Sequence, residues 1–548
     1  VSQYTPLLDV DRVTALPAPQ VGGRFRDTAV AAAIIGVAAI AALRIALIFR
    51  YRIDSDETQH LHVVWAWAHG LVQYRDLFDN HMPLFHILSV PLLRLAGERP
   101  ETLLFVRLAM LPLFAAMATL TYRIAASVYP QRAAIWATVI GCAAPDFFLC
   151  SIEFRTDILW TLSWLAAIAL LVCKPLTPRR AALAGLALGI AGATSAKTSL
   201  LAVSLAIAAI TTIAITRDRF ATWIKPALLF AISALAPVAA IAVYFFARGA
   251  WDSFLYCTVT HNLVASEHPA RLLFLIPSIA IIAVLTRHIA RQDAPVEIRR
   301  RRLFLFLIAT VYGTALISLW PIMETEHWLP FYPVAGAAVV PLLMHERRDP
   351  SRLLFAILAF ELFWIVRVSV PWRDNTVPSM LLIEQATALT APNESVIDLK
   401  GEIVFRRRAF YYVLERLTKK AISKGRLQDT IAADVLRTHT MVSIPDRPGI
   451  PRDGRQFLLR NFVRVGCVRV AGMMVTGRQF RIEIPGPYSL LSDRGDFQGT
   501  LDSTAYAGPR FLAAGIHTIN ATQRSAIVWQ RAAALGFSPF TADRRCEQ

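Results

Sequence analysis

The residues best suited to chemistry stand in one polar stretch directly after a long apolar run. It reads Ile53-Asp54-Ser55-Asp56-Glu57-Thr58-Gln59-His60 and continues to Asp79-Asn80-His81-Met82-Pro83-Leu84. Its acids are Asp54, Asp56, Glu57, Asp76 and Asp79. Carboxylates so close to a membrane surface are costly unless hydrated, paired or used. One of them can deprotonate an acceptor hydroxyl, and a nearby lysine or arginine can stabilise a departing phosphate. Three more clusters end other apolar runs: Glu153-Phe154-Arg155-Thr156-Asp157, Thr194-Ser195-Ala196-Lys197-Thr198-Ser199 and Glu324-Thr325-Glu326-His327-Trp328-Leu329-Pro330. Acids with a few cations, gathered at one membrane level, suit group transfer from a lipid phosphate.

The elements that must gather them are transmembrane helices. Of 548 residues, 55% are hydrophobic and 18% charged, against about 25% charged in a soluble chain. Mean hydropathy is +0.47. Apolar runs at 28–49, 102–125, 133–149, 159–172, 182–193, 200–215, 227–246, 272–285, 303–320, 329–343 and 353–370 predict about eleven spans, several at the short end of the range. Residues 1–27 read as a cytoplasmic tail. The first run is too long for a cleavable leader, and with Val1 in first place the true start is expected to be missing or processed.

In the first polar loop, Asp56 or Ser55 can cap a short helix with Glu57 in its first turn, ended by Gly70. Pro83 opens a second segment at 84–95, rather short to span. Both are expected on the outer surface. With that order, Arg123 and Arg132, Lys174, Arg179 and Arg180, Arg217, Arg219 and Lys225, Arg287 and Arg291, Arg299 to Arg302, and Arg347, Arg348 and Arg352 all fall in cytoplasmic loops, as the positive-inside rule requires. The four polar clusters then share the outer face. The net charge of +18 follows largely from this topology, so it does not argue for nucleic acid.

After Val370 the spans stop. Residues 371–548 read as a soluble domain, with strands at 395–399 and 441–444 around helices at 408–417 and 428–437. Alternation at 479–484, a Pro485-Gly486-Pro487 turn and a run at 516–521 predict antiparallel strands after this small α/β unit. The cysteines, Cys142, Cys150, Cys173, Cys257, Cys467 and Cys546, are scattered without a CxxC pair, so neither a disulfide framework nor a zinc site is expected.

The chain resembles the GT-C class of polyprenyl-phosphate-sugar-dependent glycosyltransferases. The nearer likeness is to the branch with protein O-mannosyltransferases, the lipid A aminoarabinose transferase and rhizobial lipopolysaccharide galacturonosyltransferases. The residues carrying it are Asp56-Glu57, Asn80-His81-Met82-Pro83-Leu84, Arg155-Thr156-Asp157, Ala196-Lys197 and Glu326-His327-Trp328-Leu329-Pro330, within 28–370. The resemblance implies a GT-C transmembrane catalytic domain over 28–370, with 50–100 its first periplasmic catalytic loop. It implies catalytic roles for Asp56, Glu57 and Asp157, and donor-phosphate contacts from Lys197, Arg155 and His81. Glu326, His327 and Glu153 are further site candidates. It also implies inverting sugar transfer at the periplasmic face of a bacterial inner membrane. The donor would be a polyprenyl-phosphate-linked sugar and the acceptor a glycolipid or lipopolysaccharide, a secreted protein or a cell-wall glycan; no cofactor is implied. The family motif often reads Lys-Pro-Pro or His-Pro-Pro where this chain has His81-Met82-Pro83.

Plainer readings stand beside these. Asp56 can cap a helix, Asp157 can pair with Arg155, Lys197 can snorkel at a span end, and His327 can be an interface residue. Asp54, Asp56, His60 and His62 can be set against a metal, although their spacing is loose. A transporter or a non-catalytic envelope scaffold is the alternative class; the former would place its charges at mid-span.

Overall fold

The computed structural model describes residues 23–263, 269–346, 351–541 and 543–546. Most of the tail expected over 1–27, together with Arg347 and Arg348, lies outside the described residues. Chain contacts divide it into two units, Val1–Ile45 and Ala46–Gln548. The first, where described, is the leading part of helix α1 (Gly23–Arg50).

Every segment expected to span is helical, because a backbone in hydrocarbon must satisfy its own hydrogen bonds. After α1 come α2 (Ser55–Ala68) and α3 (Leu84–Ala96), the two segments of the first loop. Helices α4 (Thr102–Leu108) and α5 (Leu111–Ala126) share the next apolar run. Helices α6 (Gln131–Ala143) and α7 (Pro145–Cys150) share another, interrupted at Ala144 because a residue before proline avoids helical geometry. There follow α8 (Thr156–Val172), α9 (Pro178–Thr194), α10 (Thr198–Thr216) and α11 (Ala221–Ala247). Short α12 (Trp251–Leu255) precedes α13 (Leu275–Ala290), α14 (Val296–Ser318), α15 (Phe331–Glu346) and α16 (Ser351–Ser369). Among the described residues, Thr102–Ala126, Thr198–Thr216, Ala221–Ala247, Pro269–Ala290 and Val296–Ser318 are helical stretches long and apolar enough to cross a bilayer. The protein is a polytopic α-helical membrane protein.

Close packing of these helices depends on small residues. A Cβ at Gly185 of α9 would stand 2.1 Å from the carbonyl oxygen of Phe230 in α11, and one at Gly189 would stand 2.4 Å from that of Ala234. Without side chains there, the two backbones touch, which is how helices associate when lipid is as apolar as they are.

The start of α2 differs from expectation. Its cap is Asp54, not Asp56 or Ser55. Asp54 Oδ1 accepts the amide of Asp56 (3.0 Å), and Glu57 Oε1 accepts the amide of Asp54 (2.9 Å), a reciprocal capping box. Capping by Asp54 leaves the carboxylate of Asp56 available for other contacts.

The chain after Val370 begins with α17 (Val377–Leu389). Strand β1 (Ser395–Ile397) pairs in parallel with β2 (Arg407–Arg408) and β3 (Val442–Ser443). Strands β4 (Phe462–Val465), β5 (Val468–Met474), β6 (Gln479–Ile482), β7 (Gly486–Ser492), β8 (Gly499–Leu501), β9 (Thr504–Ala505), β10 (Arg510–Leu512), β11 (Gly515–Ala521) and β12 (Ser525–Trp529) complete it. One sheet runs β10-β7-β12-β5-β3-β1-β2, with β4 also on β5. A second runs β6-β11-β8-β9. The α/β unit followed by antiparallel strands is thus present, around a core that includes Val396, Val442, Val470 and Ile527.

Two expectations here are corrected. Residues 408–417 are not a helix: Arg408 is drawn onto Asp398 (Nε to Oδ1, 2.6 Å), and the helix starts later, at Arg416–Ser423, because Glu415 caps it by accepting the amides of Leu417 (2.6 Å) and Thr418 (2.8 Å). A disulfide joins Cys467 to Cys546, 79 residues apart. They are the two cysteines beyond Val370, and only the return of the chain end brings them together.

Candidate active site

Arg155 is the hub of the site. It ends the extended link before α8 and its side chain is 7% exposed. Its guanidinium meets Asp56 Oδ2 at 2.8 Å, Glu153 Oε2 at 3.1 Å, Asp157 Oδ2 at 3.4 Å, Glu326 Oε1 at 3.6 Å and Asp54 Oδ1 at 3.7 Å. Lys197, immediately before α10, places Nζ 3.1 Å from Asp157 Oδ1 and 4.0 Å from Glu326 Oε1. Trp160 flanks it, the ammonium lying 5.7 Å from the ring centre. The first loop, the Glu153–Asp157 turn, the start of α10 and the 3-10 turn Thr325–Trp328 therefore meet at one point, although 270 residues separate Asp56 from Glu326.

Asp56 stands between two cations. Arg155 takes Oδ2, and Lys400, from the loop after β1, takes Oδ1 at 2.6 Å. Burial pushes the Asp56 carboxyl up, but Arg155 and Lys400 together hold it far below the usual carboxylate range, so it is an anion at neutral pH. Glu153 shows the opposite balance. Burial pushes it up to about 8 against the pull of Arg155, with Glu57 and Asp54 adding repulsion, so it keeps its proton at neutral pH.

Glu57 is placed elsewhere. Successive residues on a helix point about 100° apart, and here Asp56 turns to Arg155 while Glu57 turns to Arg107. Glu57 is fully buried and receives Arg107 of α4 through both carboxylate oxygens (Nη2 to Oε1, 2.5 Å; Nε to Oε2, 2.7 Å), and also the amide of Phe154 (3.1 Å). Arg107 spends its remaining donors on the carbonyls of Ile48, Tyr51 and Arg52. With its acceptors so engaged, Glu57 is a brace between the loop and the helices, not a group turned toward a reactant.

His81 is close to the acidic centre without being bonded to it. Its Nδ1 meets Asp79 Oδ1 at 2.9 Å, and Asp79 is itself held by the side-chain amides of Gln59 and Gln73. Burial lowers the His81 pKa, yet Asp79 outweighs it and the imidazole ends above its ordinary value. His327 is a wall residue. Its Nδ1 accepts the amide of Glu324 (3.3 Å), which fixes the turn that carries Glu326, and burial pushes it down, keeping it neutral. Asp157, Arg155, Lys197, Glu326, Glu153 and Asp56 are brought together; Glu57 and His327 support them.

Sequence reasoning missed Lys400 and Arg107. A charge inside an otherwise apolar run is itself a signal, and it was legible at Arg107. Nothing local separates Lys400 from an ordinary solvated turn residue.

Beside the site runs an apolar cavity of about 350 Å³ between α3, α9 and α11, lined by Pro83, Leu84, Ile87, Ile190, Ile241 and Phe245. It starts two residues after His81. Among the described residues, no group of three or more His, Cys, Asp or Glu side chains is arranged to hold a metal ion.

The structure is similar to the crystal structure of ArnT from Cupriavidus metallidurans in the apo state. The TM-score is 0.56 at 12% identity, covering 81% of this chain and 98% of that one. It is likewise similar to ArnT from the same organism bound to undecaprenyl phosphate, with a TM-score of 0.53 at 12% identity over 77% and 93%. The chain has the GT-C fold. No protein-family model matches the sequence, and no curated protein does.

Proposed function

We propose that this protein is a membrane glycosyltransferase that moves a sugar from a polyprenyl-phosphate donor to an acceptor hydroxyl, with inversion, at the periplasmic face of a bacterial inner membrane. A glycolipid or lipopolysaccharide is the favoured acceptor. The observation that carries the reading is the Asp56–Arg155–Lys197 constellation: a half-buried, anionic carboxylate next to cations that are paired with carboxylates. In this reading 28–370 is the catalytic domain and 371–548 a periplasmic one.

The polyprenyl chain lies along the apolar cavity from Pro83 to Phe245, which brings its phosphate toward His81, Lys197 and Arg155. ArnT was crystallised with undecaprenyl phosphate on this same fold, which supports that class of donor. The acceptor oxygen attacks the anomeric carbon as Asp56 takes its proton. The bond from that carbon to the phosphate oxygen breaks, and the electron pair leaves with the phosphate. Phosphate is already a good leaving group, so cations suffice on that side and no proton need be delivered to it.

The test is purified protein in detergent, offered either lipid-linked sugars extracted from bacterial membranes or a set of nucleotide sugars. Transfer from the lipid-linked pool alone is expected. Turnover with a nucleotide sugar in the absence of any lipid carrier would remove the proposal.

The orientation has separate support. Basic residues crowd the loops opposite the site, and a disulfide between Cys467 and Cys546 suits an oxidising compartment. A reporter fused after Val370 should be active when it requires the periplasm. Activity of a cytoplasm-only reporter at that junction would reverse the whole assignment.

A further inference from the structure

We infer that Lys400 is a positioning residue of the active centre: the C-terminal β region reaches back to the first loop and locks the plane of the Asp56 carboxylate. The inference rests on Asp56 being the base proposed above, and nothing in the chain's local sequence marks it.

The contact is built, not incidental. Lys400 Nζ lies 2.6 Å from Asp56 Oδ1 across 344 residues, and the two side chains are about one-fifth exposed, at 21% and 20%. The loop that presents it is tied within itself. Asp398 accepts the amides of Gly401 (3.0 Å) and Ile403 (3.1 Å), while Glu402 Oε2 accepts those of Leu399 (3.0 Å) and Lys400 (2.8 Å). Arg408 braces Asp398 from the next strand. The loop is also fastened to the helix that carries Asp56. His62 Nδ1 lies 2.7 Å from the carbonyl oxygen of Val404, and a Cβ at Gly401, whose φ is +110°, would stand 2.8 Å from His62 Cβ. So the backbone on both sides of Lys400 is set before its side chain extends, and extension ends on Asp56. A solvated lysine needs none of this.

With Arg155 on one oxygen and Lys400 on the other, the carboxylate cannot rotate about its Cβ–Cγ bond without breaking a charge-assisted bond. The remaining lone pairs then point in fixed directions, which is what a general base in hydrogen-bond reach of a hydroxyl requires. Other charged or titratable groups that act on this pair are His60 on the same helix, His81 of the first loop, Asp54 at the helix cap, Glu324 of the 3-10 turn and Glu402 in the loop of Lys400 itself. Asp54 accepts the backbone amide of Asp56, and among the described residues the ion pairs of the Asp56 carboxylate are those with Arg155 and Lys400. Loss of Lys400 leaves Arg155 as the single cation on the carboxylate, so Asp56 would protonate at a higher pH than in the wild type.

The experiment compares full-length wild type, Lys400→Met and Lys400→Arg in detergent, with lipid-linked sugars extracted from bacterial membranes as donor. In Lys400→Met, kcat is expected to fall about tenfold with KM within about twofold. Any acidic limb set by Asp56 should move toward higher pH. Lys400→Arg should recover most of both. A folded Lys400→Met enzyme with the kcat of the wild type overturns the inference, because a lysine that only docks the two regions would leave turnover in place. A second measurement is independent of the reaction: thermal midpoints of Asp56→Asn, Lys400→Met and the double variant. The two losses should be clearly less than additive; additive losses overturn the inference whatever the protein transfers. A wild type that uses no lipid-linked donor, with a non-additive cycle, would instead sink the proposed function and keep the contact.

Discussion

Asp56→Asn should lower sugar transfer by roughly 10² to 10⁴, the usual worth of a general base, while binding of undecaprenyl phosphate stays within a few-fold of wild type. A sugar hydroxyl is a poor nucleophile at neutral pH, and the amide cannot accept its proton. Asparagine keeps the size and one acceptor oxygen, so contacts to Arg155 or Lys400 weaken without leaving a cavity. The phosphate meets Arg155, Lys197 and His81 in the proposed pose, and those remain. Asp56 is held as an anion by its two cations, so the charged form needed for catalysis is present throughout the neutral range. Asp54→Asn is the control. Asparagine caps helices as well as aspartate does, so the box with Glu57 survives and turnover should change little. Equal losses in the two variants, or a fully active Asp56→Asn, would show that another carboxylate is the base. Asp157 would be next, since it is buried beside both Arg155 and Lys197.

Arg107→Ala should cost about 3–5 kcal/mol, the range found when one partner of a buried ion pair is removed, and should leave little folded protein in detergent. Both Arg107 and Glu57 are at 0% exposure. The substitution strands the Glu57 carboxylate without water and strips the carbonyls of Ile48, Tyr51 and Arg52 of their donors. The pair itself contributes little over an apolar replacement; the loss lies in the charge left behind. For that reason Arg107→Met with Glu57→Gln should recover part of the stability. Thermal unfolding of the single and double variants in detergent decides it. A single Arg107→Ala variant melting with the wild type would mean that water reaches Glu57 and that the brace is dispensable. This is a stability effect, so surviving Arg107→Ala protein should keep the pH profile of the wild type, unlike Lys400→Met.

The helices and the level of the site are legible in the residues alone. A run of apolar residues in a bilayer has one backbone solution, because each amide must find its carbonyl within the same segment. Each expected span is accordingly helical in the structure, from Gly23–Arg50 to Ser351–Ser369. Alternation along Gln479–Ile482 and the run at 516–521 likewise marked strands, since their pattern is local. The four polar clusters could be assigned to one face by charge bias alone, and Arg155, Asp157, Lys197 and Glu326 do converge.

Tertiary structure decided which of those residues face one another. Asp56 and Glu57 are neighbours of the same charge, yet the turn of α2 sends one to Arg155 and the other to Arg107. Which face is which depends on where the next helices pack, and composition does not carry that. Asp54 rather than Asp56 caps α2 because its backbone is still extended (φ −77°, ψ 147°) where the helix begins at Ser55, which sets its side chain against the open amides. Cys467 meets Cys546, and Lys400 meets Asp56, only after chain segments of 79 and 344 residues have been laid down between them. Local propensity sees a few residues in either direction. A contact over hundreds is fixed by the whole path of the chain, so a lysine that reads as a solvated turn residue ends against the acid at the centre of the site.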